Sequence, residues 1–99
     1  MKIAVEKATP ELLKMLGTDS WPEWKCPESK FDWTYDDEET CYFHEGEVVV
    51  HTSKGSVEIK PGDVVTFPKG LKCTWEVKKA VRKVYAFGLG RIKTASARK

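Results

Sequence analysis

From Phe31 onward, apolar residues recur at every second position, the period of a half-buried strand. Phe31, Trp33 and Tyr35 fall on one face, and the acidic run Asp36-Asp37-Glu38-Glu39 turns the chain. Glu39, Cys41 and Phe43 share a face of the next strand, with His44 on the other side. Glu45-Gly46-Glu47 reads as a break. Val48 and Val50 then alternate with Val49 and His51, and Lys54-Gly55 makes a hairpin turn into Ser56-Val57-Glu58-Ile59. Pro61-Gly62-Asp63 turns into Val64-Val65-Thr66-Phe67, a run too apolar for a strand with one solvated face. Pro68-Lys69-Gly70 turns again, ahead of strands over 71–77 and 81–89. About eight short strands between Gly/Pro turns predict an all-β sandwich or barrel.

Ahead of this region, Ile3-Ala4-Val5 predicts a short edge strand. Residues 9–17 carry the punctuation of a helix at about 10–16: Thr9 to cap it, Pro10 at its first position and Gly17 at its left-handed end. Leu12, Leu13 and Leu16 form one apolar stripe. Two prolines in Trp21-Pro22-Glu23-Trp24-Lys25-Cys26-Pro27 forbid a helix and predict an extended, anchored segment. Its tryptophans are expected to plug one end of the body more than to serve as a ligand platform. This gives a single domain over 1–90, with its barrel at about 20–90, and a basic flexible tail over 91–99.

Charge changes the picture only at that tail. Of 17 Lys and Arg, Arg91, Lys93, Arg98 and Lys99 lie in the tail, leaving 13 against 15 acidic residues over 1–90, a net of −2. A mildly acidic body with a short basic end is not a nucleic-acid face. No apolar run approaches the roughly 20 residues of a membrane helix, and the start lacks the apolar stretch of a secretory signal. Cys26, Cys41 and Cys73 form no CxxC pair, and their odd number favours free thiols in the cytoplasm or another reducing compartment, an organelle included if a transit peptide was removed.

Two blocks carry a resemblance. Phe31 to Gly46 reads Trp33-x-Tyr35, three residues, Glu39, six residues, Gly46; Gly62 to Val77 reads Gly62, five residues, Pro68-x-Gly70, two residues, Cys73, three residues, Val77. These are similar to the two motifs of the cupin family, with Trp33, Tyr35 and Cys73 at the places of its metal-binding histidines. WPEW, FDW-x-Y, ETCY, GDVVTFPKG and CTW further resemble a subgroup of small cupins named for (S)-ureidoglycine aminohydrolase, found in bacteria and plants. The resemblance implies an RmlC-like jelly-roll β-barrel with one short N-terminal helix.

The resemblance would place Trp33, Tyr35, Glu39 and Cys73 at the metal site. Tryptophan offers a metal no lone pair, and tyrosine binds well only as a phenolate. Glu39 and Cys73 remain as ordinary ligands, joined at most by Cys41, a set zinc could accept. No metal or other cofactor is favoured, a single divalent ion such as zinc being the alternative. His44 and His51 should face outward by parity. Glu39 is the candidate acid/base: among Trp33, Tyr35, Phe43 and Trp75, desolvation would raise its pKa. The plainer reading has Glu39 hydrogen-bonded and structural. Cys41 and Cys73 are expected as buried fillers rather than nucleophiles. Lys83 and Tyr85 share a parity that could turn both inward and pair Lys83 with Glu39, although a lysine there more often snorkels to the rim.

The leading expectation is therefore a metal-free barrel that binds a small polar molecule, a sugar or metabolite, through Trp33, Tyr35, Glu39, Cys41, Cys73, Trp75, Lys83 and Tyr85. The second is a hydrolase or isomerase using Glu39, with or without a thiolate-bound metal. The third is a homodimeric interaction module paired through strands.

Overall fold

The computed structural model describes residues 2–91. In chain order the strands are β1 (Ala4–Lys7), β2 (Glu23–Cys26), β3 (Ser29–Thr34), β4 (Glu39–Thr52), β5 (Gly55–Ile59), β6 (Asp63–Phe67) and β7 (Lys72–Phe87). The helix α1 spans Pro10–Leu16. Its signals act as read: Thr9 Oγ1 accepts from the Leu12 N–H, and Gly17 adopts the left-handed conformation at φ 74°. A single turn of 3₁₀ helix over Thr18–Ser20 leads into β2, the extended segment the prolines require.

All strand pairings are antiparallel, in the order β1-β6-β4-β7-β2, with β3 also on β7 and β5 also on β4. The backbone is carried by β4 and β7, which pair from Glu39 opposite Phe87 to His51 opposite Thr74. Each changes its other partner halfway. β4 pairs first with β6 and then with β5; β7 pairs first with β3 and then with β2. Both halves bury side chains in one cluster, from Val48, Val50, Trp75 and Val77 to Cys41, Phe43, Phe67 and Val81. The sheet thus folds over on itself into the jelly roll that the alternation predicts. All five residues of β6 are buried, Asp63 and Thr66 included, as the near-continuous apolar run over 64–67 predicts.

Among the described residues there are seven strands rather than eight or more, and two are long. The breaks read at Glu45-Gly46-Glu47 and between 77 and 81 are bends within β4 and β7. The register slips between Phe43 and Val48, where β4 bulges. A bulge bends a strand without ending its pairing. Gly46 makes this one fit: its φ is +100°, and a Cβ built on it would lie 2.5 Å from the Ala80 carbonyl oxygen and 2.6 Å from the Val81 Cα. The two strand backbones cross in contact there.

The two motif blocks interlock beside the bend. The Gly62 N–H donates to the Phe43 carbonyl at 2.9 Å, the Tyr35 N–H donates to Leu71 O at 2.9 Å, and the Gly70 N–H donates to Tyr35 O at 2.7 Å. The turn at 68–71 therefore fixes Tyr35. At the other end of the chain, Arg91 is held by Glu38 Oε2 on its backbone N–H and by Glu6 against its guanidinium. Arg91 is thus the one described residue of the tail expected over 91–99, and it is anchored; residues 92–99 lie outside the described residues.

Gly46→Ala should destabilise by more than about 3 kcal/mol, because backbone atoms cannot yield as a side chain would. Gly55→Ala is the control: it also has positive φ (+126°), but no atom lies within 4 Å of its Cβ position. Its cost should stay near the strain alone, about 1–3 kcal/mol. Urea unfolding of both variants checks the difference; equal losses would show that the close approach at Gly46 contributes nothing.

Candidate functional site

The register of β4 against β7 sets Cys41 opposite Tyr85 and Phe43 opposite Lys83. All four belong to the inward parity. On the far side of β7, Trp24 of β2 stands opposite Lys83, and Phe31 and Trp33 of β3 stand opposite Trp75 and Cys73. Trp24, Phe31, Trp33, Trp75, Lys83 and Tyr85 among these, with Tyr35, Glu39 and Phe87, line an open cavity of about 280 Å³.

Glu39 and Lys83 are 6% and 5% exposed. Lys83 Nζ donates to Glu39 Oε2 at 2.7 Å and to Cys41 Sγ at 3.2 Å, and the Cys41 thiol donates to the same Glu39 oxygen at 3.0 Å. The ammonium also lies 5.0 Å from the Trp24 ring centre, 5.1 Å from that of Tyr85 and 5.6 Å from that of Trp75, within cation–π range of all three. Lys83 is thus a buried ammonium in an aromatic cage, not a lysine snorkelling at the rim. The correction has a physical cause. An inward lysine must find an anion, and Glu39 provides one across the β4–β7 pairing. Burial acts to lower the Lys83 pKa, but Cys41 and Glu39 against the ammonium outweigh it and hold it above the ordinary lysine value.

Tyr35 is buried, stacked on Phe67 at 4.6 Å, and its hydroxyl accepts from Trp75 Nε1 at 3.1 Å. Burial first, and the neighbouring Cys41 and Glu39 second, push the Tyr35 phenol well above its usual range. Burial likewise pushes the Cys41 thiol far up, with Lys83 opposing and Glu39 adding. Both shifts favour the neutral thiol and phenol over the thiolate and phenolate.

Of the eight residues expected at the site, Trp33, Tyr35, Glu39, Trp75, Lys83 and Tyr85 line the cavity. Cys41 lies beneath it, with no exposure, as the third member of the Glu39–Lys83 contact. Cys73 stands apart from Glu39. It borders a shallow groove with Thr34, His51 and Lys72, its thiol 3.7 Å from the Trp33 carbonyl and pushed up to about 11 by burial and by Asp32. Trp24, Phe31 and Phe87 also line the cavity and escaped the sequence reading. Phe31 shares the parity of Trp33 and Tyr35, a signal that was available; Trp24 had been read as a plug. His44 packs edge-on to Tyr42 away from the cavity. His51 bridges Ser56 and Glu76 across three strands, at 2.8 and 2.9 Å.

This donor set does not suit a metal. Among the described residues, no three His, Cys, Asp or Glu side chains gather as ligands. Glu39 already faces an ammonium at 2.7 Å, and a cation placed beside it would meet that charge at close range.

The bent antiparallel jelly roll with an open aromatic cavity defines a small cupin. The chain belongs to the EutQ-like cupin domain family, whose sequence profile matches residues 13–85. A crystal structure of a DUF861 family protein from Thermotoga maritima is similar over 88% of this chain and all of its own length, with 50% identity and a TM-score of 0.85. The EutQ protein of Clostridium difficile shares the fold at 22% identity and a TM-score of 0.61, covering 84% of this chain and 64% of its own. An ethanolamine utilization protein Q from Salmonella typhimurium does so at 23% and 0.60, covering 86% and 68%. Among curated proteins none matches the chain.

Two outcomes follow from the buried pair. Lys83→Met or Glu39→Gln alone leaves one buried partner uncompensated and should cost about 3–5 kcal/mol; the double variant should recover most of that loss. Additive losses in the urea-unfolding cycle would contradict the coupling. The pH dependence follows from the groups held above their ordinary values, Cys41, Cys73, Tyr35 and Lys83. Folded values above the unfolded ones mean that the unfolded chain releases protons first as pH rises. Stability is full below about pH 8.5, where free thiols begin to titrate, and falls above it, with the Tyr35 and Lys83 contributions joining only above about pH 10. Urea midpoints across this range should slope downward, and Cys41→Ser should flatten the lower part of that slope. A slope unchanged by the substitution would contradict the assignment to Cys41.

Proposed function

We propose that the barrel binds a small polar molecule, a sugar or metabolite, in the aromatic cavity, without a metal. The observation that carries this reading is the buried Glu39–Lys83 pair at the cavity wall. A buried ion pair is weak evidence for stability, since apolar residues of similar volume often serve the fold as well. Its position on an open cavity gives it another use. One carboxylate oxygen is filled by Lys83 and Cys41, while the other, Oε1, accepts no hydrogen bond among the described residues. Aromatic walls with few polar groups are the usual make-up of small-molecule sites. At about 280 Å³ the cavity holds on the order of ten heavy atoms, taking ~30 Å³ for each water-sized group.

The open Oε1 also supports a second reading, an isomerase or hydrolase in which Glu39 moves a proton on the bound molecule and Lys83 faces the charge that develops. The resemblance to the ureidoglycine aminohydrolase subgroup favours the same chemistry. Pairing of two copies through strands is compatible with either reading.

The test is quenching of tryptophan fluorescence by a panel of neutral metabolites, because Trp24, Trp33 and Trp75 all line the cavity. Saturable quenching lost in Trp33→Ala, whose ring is 49% exposed at the mouth, is the expected result. Saturable quenching unaffected by that substitution would place binding elsewhere. Turnover of a bound compound, abolished in Glu39→Gln, would select the second reading.

A further inference from the structure

We infer that the cavity is built for a small neutral molecule presenting a carbonyl oxygen beside an N–H, a carboxamide or lactam. The inference rests on the binding reading above and deepens it. Its basis is a count of unfilled hydrogen-bonding positions. The Lys83 ammonium has three N–H donors. Two are used, on Glu39 Oε2 and Cys41 Sγ, and the third has no acceptor among the described residues. The Tyr35 hydroxyl accepts from Trp75 Nε1, but its own hydrogen has no acceptor among them. Tyr35 is 3% exposed and lines the cavity, so what exposure it retains is toward the ligand space. A donor at such depth ordinarily has a partner. Glu39 Oε1 is the matching vacant acceptor.

Two donors and one acceptor without a hydrogen-bond partner among the described residues thus lie along one stretch of wall: Trp75 hydrogen-bonds Tyr35, the Lys83 ammonium lies 5.6 Å from its ring centre, and Lys83 in turn holds Glu39. A carbonyl oxygen has two lone pairs and can take both donors. An N–H on the neighbouring atom can donate to Glu39. The flat amide group also suits walls made of ring faces and edges. Other chemistries fit less well. A cationic ligand would compete for an aromatic cage that Lys83 already fills. A carboxylate would bring a second anion against Glu39 Oε1. The Glu39 and Lys83 charges cancel, so the cavity selects no net charge. A hydroxyl, with two lone pairs and one hydrogen, fills all three positions only from a single oxygen within reach of each, whereas an amide spreads its acceptor and donor over neighbouring atoms.

The experiment compares five-membered rings of similar size on the wild-type protein: 2-pyrrolidinone, N-methyl-2-pyrrolidinone, cyclopentane-1,2-diol, cyclopentylammonium and cyclopentanecarboxylate. Binding is read from the indole N–H resonances of the tryptophans in NMR titrations up to tens of millimolar, the range expected for such small ligands. The lactam should bind about tenfold more tightly than its N-methyl derivative and than the diol, the worth of a charge-assisted hydrogen bond. The two charged rings should give no saturable shift. Tyr35→Phe, which keeps the ring on Phe67, should weaken the lactam about fivefold. The wild-type comparison stands even if that variant fails to fold. Lactam and N-methyl lactam binding equally would overturn the role of Glu39 Oε1, and with it the inference. A diol or charged ring binding most tightly would overturn the ligand class but leave the binding reading intact. No saturable shift with any ring would overturn both.

Discussion

The antiparallel pairing of β4 with β7 is the constraint on which the molecule depends. Because side chains alternate strictly, one register decides what the interior contains. With Cys41 opposite Tyr85 and Phe43 opposite Lys83, the inward row of β7 brings an ammonium to the inward row of β4, which carries a carboxylate and a thiol. A slip of one residue would turn Glu39, Cys41 and Phe43 to the outer face and present Thr40 and Tyr42 in their place. The hydrophobic pattern and the site are therefore specified by the same choice. The bend at Gly46 completes it, letting both long strands continue into the second layer without surrendering their pairing.

The interior of this chain departs from the histidine-bearing pattern of metal-binding cupins in a consistent way. Where that pattern places imidazoles, this chain has Trp33 at the mouth, Tyr35 deep in the wall and Cys73 to one side of the cavity. Only Glu39 keeps both its residue type and an inward position. Lys83 comes from outside both motifs and supplies the positive charge that Glu39 faces. The scaffold glycines and prolines do what the motif demands of them. The Pro68-x-Gly70 turn, for example, holds Tyr35 by two backbone hydrogen bonds. Scaffold and chemistry have thus been separated within one motif pair.

Much of this was legible in the sequence because it is local. Helix α1 carries its cap, its proline and its terminal glycine in nine consecutive residues. Parity along one strand placed Glu39, Cys41 and Phe43 together and His44 apart from them. Parity between strands is not local, and that is where the reading weakened. The burial of Lys83 depends on an anion 44 residues away, which no nearby residue announces. Gly46 looks the same in sequence whether it ends a strand or bends it; the difference lies in the approach of Ala80. Cys73 was grouped with Glu39 by motif spacing, yet its thiol lies by the Trp33 carbonyl. Trp24 joins the cavity only because β2 lies along β7.

The Lys83 cage has one further consequence. A metal ion is acquired after synthesis and depends on supply, competition and the order in which neighbouring metals bind. The cation beside Glu39 is instead encoded, one per chain, and is in place as soon as the strands close. Chelators cannot remove it, and shortage of a trace element cannot leave it missing. It also has a fixed reach, set by four methylenes anchored on β7, so its position is inherited from the backbone rather than negotiated among ligands. A protein arranged this way carries an electrostatic centre whose occupancy never varies.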